Sequence, residues 1–154
     1  AHLCLAAGLI PGMADDPNDP NITCVPNALI LYSPIVDTTK KGYGWDRFTE
    51  ANDATKASPT RYIGKHLPPM CIFHGTNDPI MPFGAVEKFA KHVVRKNNVC
   101  WLIPFEGKDY TFYNFNVSPE GYDATLHEAD QFLVEQGFLN ARPEGADLVG
   151  GFDD

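Results

Sequence analysis

The sequence predicts an α/β fold in which three parallel strands are flanked by helices. Residues 28–32, 69–74 and 99–103 are continuous apolar runs, the pattern of strands that are covered on both faces. Turn-forming residues end the first two runs, and a helical pattern lies between the second and the third. Such an order favours crossover connections, and therefore a parallel sheet with helices on its faces.

The first 67 residues contain two predicted helices, the second of them short, and one predicted strand. Residues 1–10 are almost wholly apolar, so we expect a helix that is buried on all sides. Residues 11–27 are dense in turn formers and predict a loop. Residues 38–67 are irregular, although Ser58-Pro59 predicts an N-cap followed by a proline in the first turn of a short helix.

Two further helices follow in the second half of the chain. Residues 83–96 are amphipathic, and the face predicted to point inward consists of Phe83, Val86, Phe89, Ala90, Val93 and Val94. The last helix is expected to begin at Pro119 and to end at Gly137, with Leu126, Ala129, Phe132 and Leu133 facing inward. We therefore expect one partial domain over residues 1–139 and an acidic C-terminal tail over residues 140–154.

Composition excludes several classes of function. The chain has 154 residues, of which 44% are hydrophobic, and 12 basic against 20 acidic residues give a net charge of −8. An acidic surface repels phosphate backbones, so no nucleic acid partner is expected. No apolar run has the roughly 20 residues of a membrane span. The compartment, secreted or cytoplasmic, stays open.

The four cysteines predict neither a metal site nor a cofactor. Cys4, Cys24, Cys71 and Cys100 show no CxxC spacing and no Cys/His cluster. Cys71 and Cys100 lie in strand-like runs, where a free buried thiol is expected. A disulfide through Cys24 is the alternative.

Polar residues follow each predicted strand at the edge where ligands bind in parallel sheets. Asp37 follows the first strand, residues 74–78 follow the second, and residues 106–116 follow the third. A carboxylate after one strand and a catalytic group after the next is the arrangement that delivers acid and base to a nucleophilic serine.

The segment 73–83, Phe-His-Gly-Thr-Asn-Asp-Pro-Ile-Met-Pro-Phe, resembles the HGTxDxxVP segment of α/β-hydrolase fold esterases of the acetyl-esterase/lipase-like group. His2-Leu3 resembles the start of the helix after the GxSxGG nucleophile elbow, and residues 27–37 and 130–139 resemble the next strand and the last helix. The resemblance implies the C-terminal portion of an α/β-hydrolase fold. It also implies that Asp78 is the acid of the catalytic triad and that no cofactor is needed.

Two departures from the family pattern concern catalysis. No G-x-S-x-G motif occurs in the chain. The family's EGxGHGFFN loop, which carries the triad histidine, reads Glu-Gly-Lys-Asp-Tyr-Thr-Phe-Tyr-Asn over residues 106–114, so Tyr110 stands at the histidine position. A phenol ionises too far above neutrality to be a good general base.

Other polar side chains have simpler interpretations. We expect His74 to bond locally within the strand-end motif and His127 to be a surface residue of the last helix. Ser33 and Ser58 precede prolines in turn or cap settings, and Asp37 is either at the mouth of a pocket or a solvated loop residue.

Two functions fit these residues. The first is the C-terminal portion of a serine carboxylic-ester hydrolase that acts on small acyl esters, with the 154-residue chain inactive alone. The alternative is a non-catalytic pseudo-esterase that serves as a binding or assembly module, and a weaker third reading is a prolyl-oligopeptidase type of peptidase. The first strand has an open apolar edge, which a missing N-terminal segment, another chain or self-association is expected to cover.

Overall fold

The computed structural model describes residues 1–13, 19, 21–23 and 25–141, in two compact units. The first unit runs from Ala1 to Thr111, and the second begins at Phe112. The first unit contains α1 (His2–Leu9), β1 (Leu29–Tyr32), α2 (Ala51–Lys56), β2 (Met70–Gly75), α3 (Phe83–Arg95) and β3 (Cys100–Phe105). Short 3-10 turns lie at Trp45–Arg47 and Pro59–Tyr62, and α4 (Pro119–Glu135) belongs to the second unit.

The three strands form one parallel sheet in the order β1-β2-β3, which confirms the predicted fold class. In the register of the sheet, Met70 of β2 lies between Leu29 of β1 and Cys100 of β3. Every residue of β2 is buried, whereas β1 alternates and β3 is mostly half-buried. The prediction that each strand is buried on both faces is therefore correct for β2 alone. Among the described residues, β1 and β3 each have a neighbouring strand on one side only, which leaves their side chains more exposed.

The core of the first unit lies on one face of the sheet, where α1 and α3 pack. Its buried members include Leu5, Leu9, Leu29, Leu31, Met70, Ile72, Val86, Phe89 and Val93. Each such side chain contributes about 1.5–3 kcal/mol when it leaves water, so this face supplies much of the unit's stability. It also fixes the carboxyl ends of the strands relative to one another.

Two predictions about buried helix faces are wrong. Helix α1 is not buried on all sides, because Leu3 is 79% exposed and Cys4 is also exposed. Leu5 and Leu9 are buried where α1 packs against β1 and the Pro59–Tyr62 turn, and described residues do not cover the opposite face. Val94 is 52% exposed because it lies next to, and not within, the inward stripe of α3.

The segment 38–67 is more ordered than predicted, since it contains α2. The sequence of α2, Ala-Asn-Asp-Ala-Thr-Lys, has no apolar repeat that could have indicated a helix. Pro59 begins the predicted short helix as a 3-10 turn and Ser58 occupies the N-cap position, as predicted, but the Ser58 side chain makes no capping hydrogen bond. The buried Ser58 hydroxyl instead donates to Asp37 Oδ1 at 3.0 Å and accepts from the N–H of Thr38 at 3.3 Å.

Helix α4 has the predicted ends. The Ser118 side chain accepts from the N–H of Gly121 at 3.1 Å, Pro119 occupies the first turn, and Gly137 ends the helical region with φ at 76°. Phe132 is fully buried, while the other residues predicted to face inward, Leu126, Ala129 and Leu133, are partly buried. Of the predicted acidic tail, residues 142–154 lie outside the described part of the chain.

Cys4, Cys71 and Cys100 form no disulfide with one another, and Cys71 is buried as predicted. Cys100 is partly buried, and Cys24 lies outside the described residues. Burial raises the pKa of the Cys100 thiol to about 12. Within the described ranges, none of the helices combines the length and apolar character of a membrane span, and no three His, Cys, Asp or Glu side chains are grouped to bind a metal.

Candidate active site

Asp78 lies in the turn that follows the central strand β2, at the carboxyl edge of the sheet. Its side chain is buried, and Oδ1 accepts hydrogen bonds from the backbone N–H groups of Ile80 at 2.8 Å and Met81 at 3.1 Å. Aspartate commonly forms this type of turn by bonding to the backbone two residues ahead. The Asp78 carboxylate is therefore held by the backbone of its own turn.

His74 lies beside Asp78 and is fully buried. Its Nε2 donates to the carbonyl oxygen of Met81 at 2.8 Å and lies 3.4 Å from Asp78 Oδ2. The predicted local bonding of His74 is thus confirmed. The sequence did not indicate the contact between His74 and Asp78, because it depends on the chain reversing between them.

The loop after β3 is tied to the turn after β2 by the backbone. Thr76 donates its N–H to Phe105 O at 3.0 Å, and Asn77 donates its N–H to Lys108 O at 2.9 Å. The N–H of Gly107 donates in return to Thr76 Oγ1 at 2.8 Å. These bonds place the loop that carries Tyr110 beside the turn that carries Asp78.

Gly75 permits this close approach. A Cβ atom at this position would lie 2.3 Å from the carbonyl oxygens of both Lys108 and Asp109. Carbon and oxygen atoms cannot pack at that distance, so only glycine allows the loop to cross the end of β2 in this way.

Tyr110 is 40% exposed, and no hydrogen bond joins it to Asp78 or to any other described residue. Its neighbours form a tight turn in which Asp109 Oδ1 accepts from the N–H and the hydroxyl of Thr111, both at 2.7 Å. Two hydrogen bonds from Thr111 lower the pKa of Asp109, and the bond from the Thr111 hydroxyl has a larger effect than the bond from its backbone N–H. The Asp-Tyr-Thr spacing was the available sequence signal for this turn, and sequence reasoning did not use it.

Two of the remaining candidates, Asp37 and His127, have side-chain partners, and Ser33 does not. Asp37 Oδ1 accepts from the N–H of Thr39 at 2.8 Å and from Ser58 Oγ, so it braces its own loop. His127 is exposed, as predicted, and its Nε2 lies 3.0 Å from the side-chain nitrogen of Gln131. Ser33 has a left-handed backbone with φ at 42°, and its buried hydroxyl oxygen has no partner among the described residues.

The beginning of α1 reaches the same edge of the sheet. His2 Nδ1 donates to the carbonyl oxygen of Ile35, in the loop that follows β1, at 3.1 Å. Tyr32, the last residue of β1, pairs with Phe73, two residues before the end of β2, so this loop lies near the strand end that leads to Asp78. A parallel sheet that holds a carboxylate after one strand, and a loop hydrogen-bonded beside it after the next strand, has the arrangement of an α/β-hydrolase active site.

Comparison with known proteins agrees with the α/β-hydrolase arrangement of the strands and loops. Residues 36–93 match the BD-FAE family. The chain is similar to esterase 2 of Thermogutta terrifontis phosphoramylated by tabun, with 36% identity and a TM-score of 0.82 over 92% of this chain and 53% of that one. The apo form of that esterase gives 35% identity and a TM-score of 0.81, over 92% and 54% of the two chains.

A third solved structure, the thermophilic esterase from the same Planctomycetes species with propionate bound, gives 34% identity and a TM-score of 0.81, over 92% and 54% of the two chains. No match is found among curated proteins. The fold of this chain is therefore that of α/β-hydrolase esterases, as its sequence predicted. It spans about half the length of the esterases that it matches.

Proposed function

We propose that residues 1–139 of this chain form the C-terminal portion of a serine carboxylic-ester hydrolase domain, in which Asp78 is the acid of the triad. The observation that carries the proposal is the buried Asp78 carboxylate, fixed by two backbone N–H groups at the carboxyl end of the central strand. In such enzymes the acid orients a histidine, and the histidine deprotonates the serine that attacks the ester. The reaction proceeds through an acyl-serine ester and needs no cofactor.

The position of α1 supports a nucleophile that comes from sequence preceding Ala1. In α/β-hydrolases the serine sits on a sharp turn between a strand and the following helix. The His2–Ile35 hydrogen bond brings the beginning of α1 to the strand edge that carries Asp78. A serine just before α1 would therefore reach the same edge.

Small acyl esters are the proposed substrates. Solved structures of the Thermogutta terrifontis esterase hold propionate or butyrate, which are short acyl acids.

A second candidate, a non-catalytic pseudo-esterase, is favoured by Tyr110. The residue at the family's histidine position has no imidazole, and its hydroxyl makes no hydrogen bond with the described residues. A chain of this kind would keep the fold and serve as a binding or assembly module.

The partners that we propose for this chain cover the free edge of β1. Within the described residues β1 pairs with β2 only, and the neighbouring helix α1 leaves Leu3 79% exposed. A preceding segment, another chain or a second copy would bury this surface.

Three observations test the proposed function. The purified 154-residue chain should not hydrolyse p-nitrophenyl acetate, and robust turnover that one serine substitution abolishes would contradict the absence of the nucleophile. The coding region upstream of Ala1 should encode a GxSxGG motif. In the longer protein that also carries Tyr110→His, Asp78→Asn should lower kcat by roughly 10⁴-fold, whereas the matched change Asp123→Asn on the exposed side of α4 should not.

The two candidates predict different results for the longer protein. Ester hydrolysis that depends on Asp78 supports the hydrolase. Binding of short-chain esters without turnover, and without labelling by a fluorophosphonate probe, supports the pseudo-esterase.

A further inference from the structure

His74 is a buried polar residue that the proposed mechanism does not use. We propose that His74 is a positioning residue that fixes the turn of residues 78–81 and thereby the orientation of the Asp78 carboxylate. The catalytic meaning of that orientation rests on the proposed function. The positioning itself rests on the geometry around the two side chains.

The two oxygens of Asp78 have different surroundings. Oδ1 is occupied by the N–H groups of Ile80 and Met81, at 2.8 and 3.1 Å. Oδ2 lies 3.4 Å from His74 Nε2, and the two side chains are 1% and 0% exposed. A buried carboxylate oxygen is unfavourable without a polar neighbour, and His74 is the neighbour that the structure provides.

His74 also holds the far end of the same turn. Its Nε2 donates to Met81 O at 2.8 Å, while the N–H of Met81 donates to Asp78 Oδ1. Since a carbonyl oxygen can only accept, Nε2 carries the hydrogen atom. One ring on the central strand thus contacts both ends of the turn, and the strand fixes the ring.

Packing alone does not explain a histidine at this position. The other ring nitrogen, Nδ1, is buried and has no partner among the described residues. An unpartnered buried acceptor costs free energy, and an apolar ring of similar size would avoid that cost. The polar ring is therefore explained by the contacts that Nε2 makes with Met81 and Asp78.

Two substitutions separate positioning from packing. His74→Phe keeps a ring of similar size but removes the donor, whereas His74→Gln keeps a side-chain N–H donor but removes the ring. If His74 positions the turn, amide hydrogen exchange at Ile80 and Met81 should be about tenfold faster in His74→Phe and close to wild type in His74→Gln, because the side-chain hydrogen bond to Met81 O is lost only in the first. The amide of Val93 in α3 serves as the internal control for global stability.

The opposite order of the two variants, with Phe retaining protection and Gln losing it, would overturn the proposal in favour of packing. If neither variant folds, the ¹⁵N NMR spectrum of the wild-type His74 imidazole tests the proposal, because it shows which ring nitrogen carries the hydrogen atom. The Nε2–H tautomer of His74 supports the proposal, and the Nδ1–H tautomer overturns it.

These readouts need no ester hydrolysis, so they distinguish this inference from the proposed function. In the longer protein, His74→Phe should lower kcat with little change in KM, and His74→Gln should restore most of it. Faster exchange in a protein that never hydrolyses esters would contradict the hydrolase and leave His74 as the positioning residue of the turn. If His74→Phe lowers kcat but leaves amide hydrogen exchange at Ile80 and Met81 unchanged, the positioning role would be overturned.

Discussion

The backbone N–H of Asn77 donates to the carbonyl oxygen of Lys108 at 2.9 Å, and this bond joins the turn after β2 to the loop after β3. Asp78 follows Asn77 directly, and Tyr110 lies two residues beyond Lys108. The two positions that the esterase resemblance assigns to acid and base are therefore held near each other by main-chain contacts. Their placement does not depend on which side chain occupies position 110.

This independence makes the Tyr110→His substitution informative. In the longer protein it should raise kcat/KM for short acyl esters by roughly 10²–10⁴-fold, because an imidazole can act as a general base near neutrality and a phenol cannot. Tyr110 is 40% exposed, so the change should alter the free energy of unfolding by no more than about 0.5 kcal/mol. Tyr110→Phe is the control and should give no increase. An unchanged or lower rate for the histidine variant would show that another base already operates.

Gly75 should be among the positions least tolerant of a methyl group. Gly75→Ala would place a Cβ 2.3 Å from the carbonyl oxygens of Lys108 and Asp109, and should lower the free energy of unfolding by about 3 kcal/mol or more. Gly84→Ala is the matched control, because a Cβ there meets nothing within 4 Å. That change, in an exposed part of α3, should raise stability by about 0.5–1 kcal/mol. Urea unfolding measures both, and equal midpoints for the two variants would contradict the close approach at Gly75.

Asp109 gives the loop a dependence on acid. Hydrogen bonds from Thr111 lower the pKa of Asp109 in the folded chain below its ordinary value of 3.8. The ionised carboxylate therefore stabilises the turn fully above pH 3.8, and this stabilisation is lost as the pH falls through the lower pKa of the folded chain. Thr111→Val removes the hydroxyl donor and should move the pKa of Asp109 upward toward 3.8, whereas Thr111→Ser should keep it low. Carbon-13 titration of the side-chain carboxyl measures the midpoint. Identical midpoints in both variants would show that the hydroxyl bond does not form.

The cysteines should differ in reactivity. Cys4 is exposed, whereas burial raises the pKa of Cys100 to about 12. Because the thiolate is the reactive form, iodoacetamide at pH 8 should label Cys4 and leave Cys100 unmodified in the folded chain, as mass spectrometry of peptides would show. Equal labelling of the two would contradict the burial of Cys100.

The same pKa has a consequence for stability in alkali. The unfolded thiol ionises near its ordinary value of 9.0, while the folded thiol stays protonated up to about 12. The contribution of Cys100 to stability is therefore complete below pH 9 and is lost as the pH rises toward 12. Cys100→Ala should remove this part of the alkaline loss, which unfolding curves at pH 8 and 10.5 would reveal.

The sequence predicted the sheet and α3 because their apolar residues repeat in patterns that burial imposes. It did not predict α2, since the segment Ala51–Lys56 has no such repeat and only Ala54 within it is established as buried. It also placed Leu3 inside, because an apolar residue shows only that it can be buried and not that a partner element covers it. The exposure of Leu3 depends on what packs against α1.

Part of the site could be found from the sequence, and part could not. Asp78 and Tyr110 were located by the resemblance of residues 73–83 and 106–114 to two motifs of the esterase family. The contact between His74 and Asp78 depends on the turn in which the N–H of Asp78 donates to Gly75 O at 3.3 Å, and residue spacing alone does not specify that reversal. The crossing of the loop over Gly75 likewise depends on bonds between segments about 30 residues apart.

The free edge of β1 leads to a prediction about association. In the described residues, the backbone groups on the outer side of β1 have no neighbouring strand, and such an edge pairs readily with another chain. The 154-residue chain by itself should therefore form dimers or larger species in light scattering. Ile30→Lys places a charge on β1 and should shift the chain toward monomer, whereas Val94→Lys on the exposed side of α3 should not. A stable monomer of the unmodified chain would show that this edge needs no cover, and an equal effect of both lysines would place the association surface elsewhere.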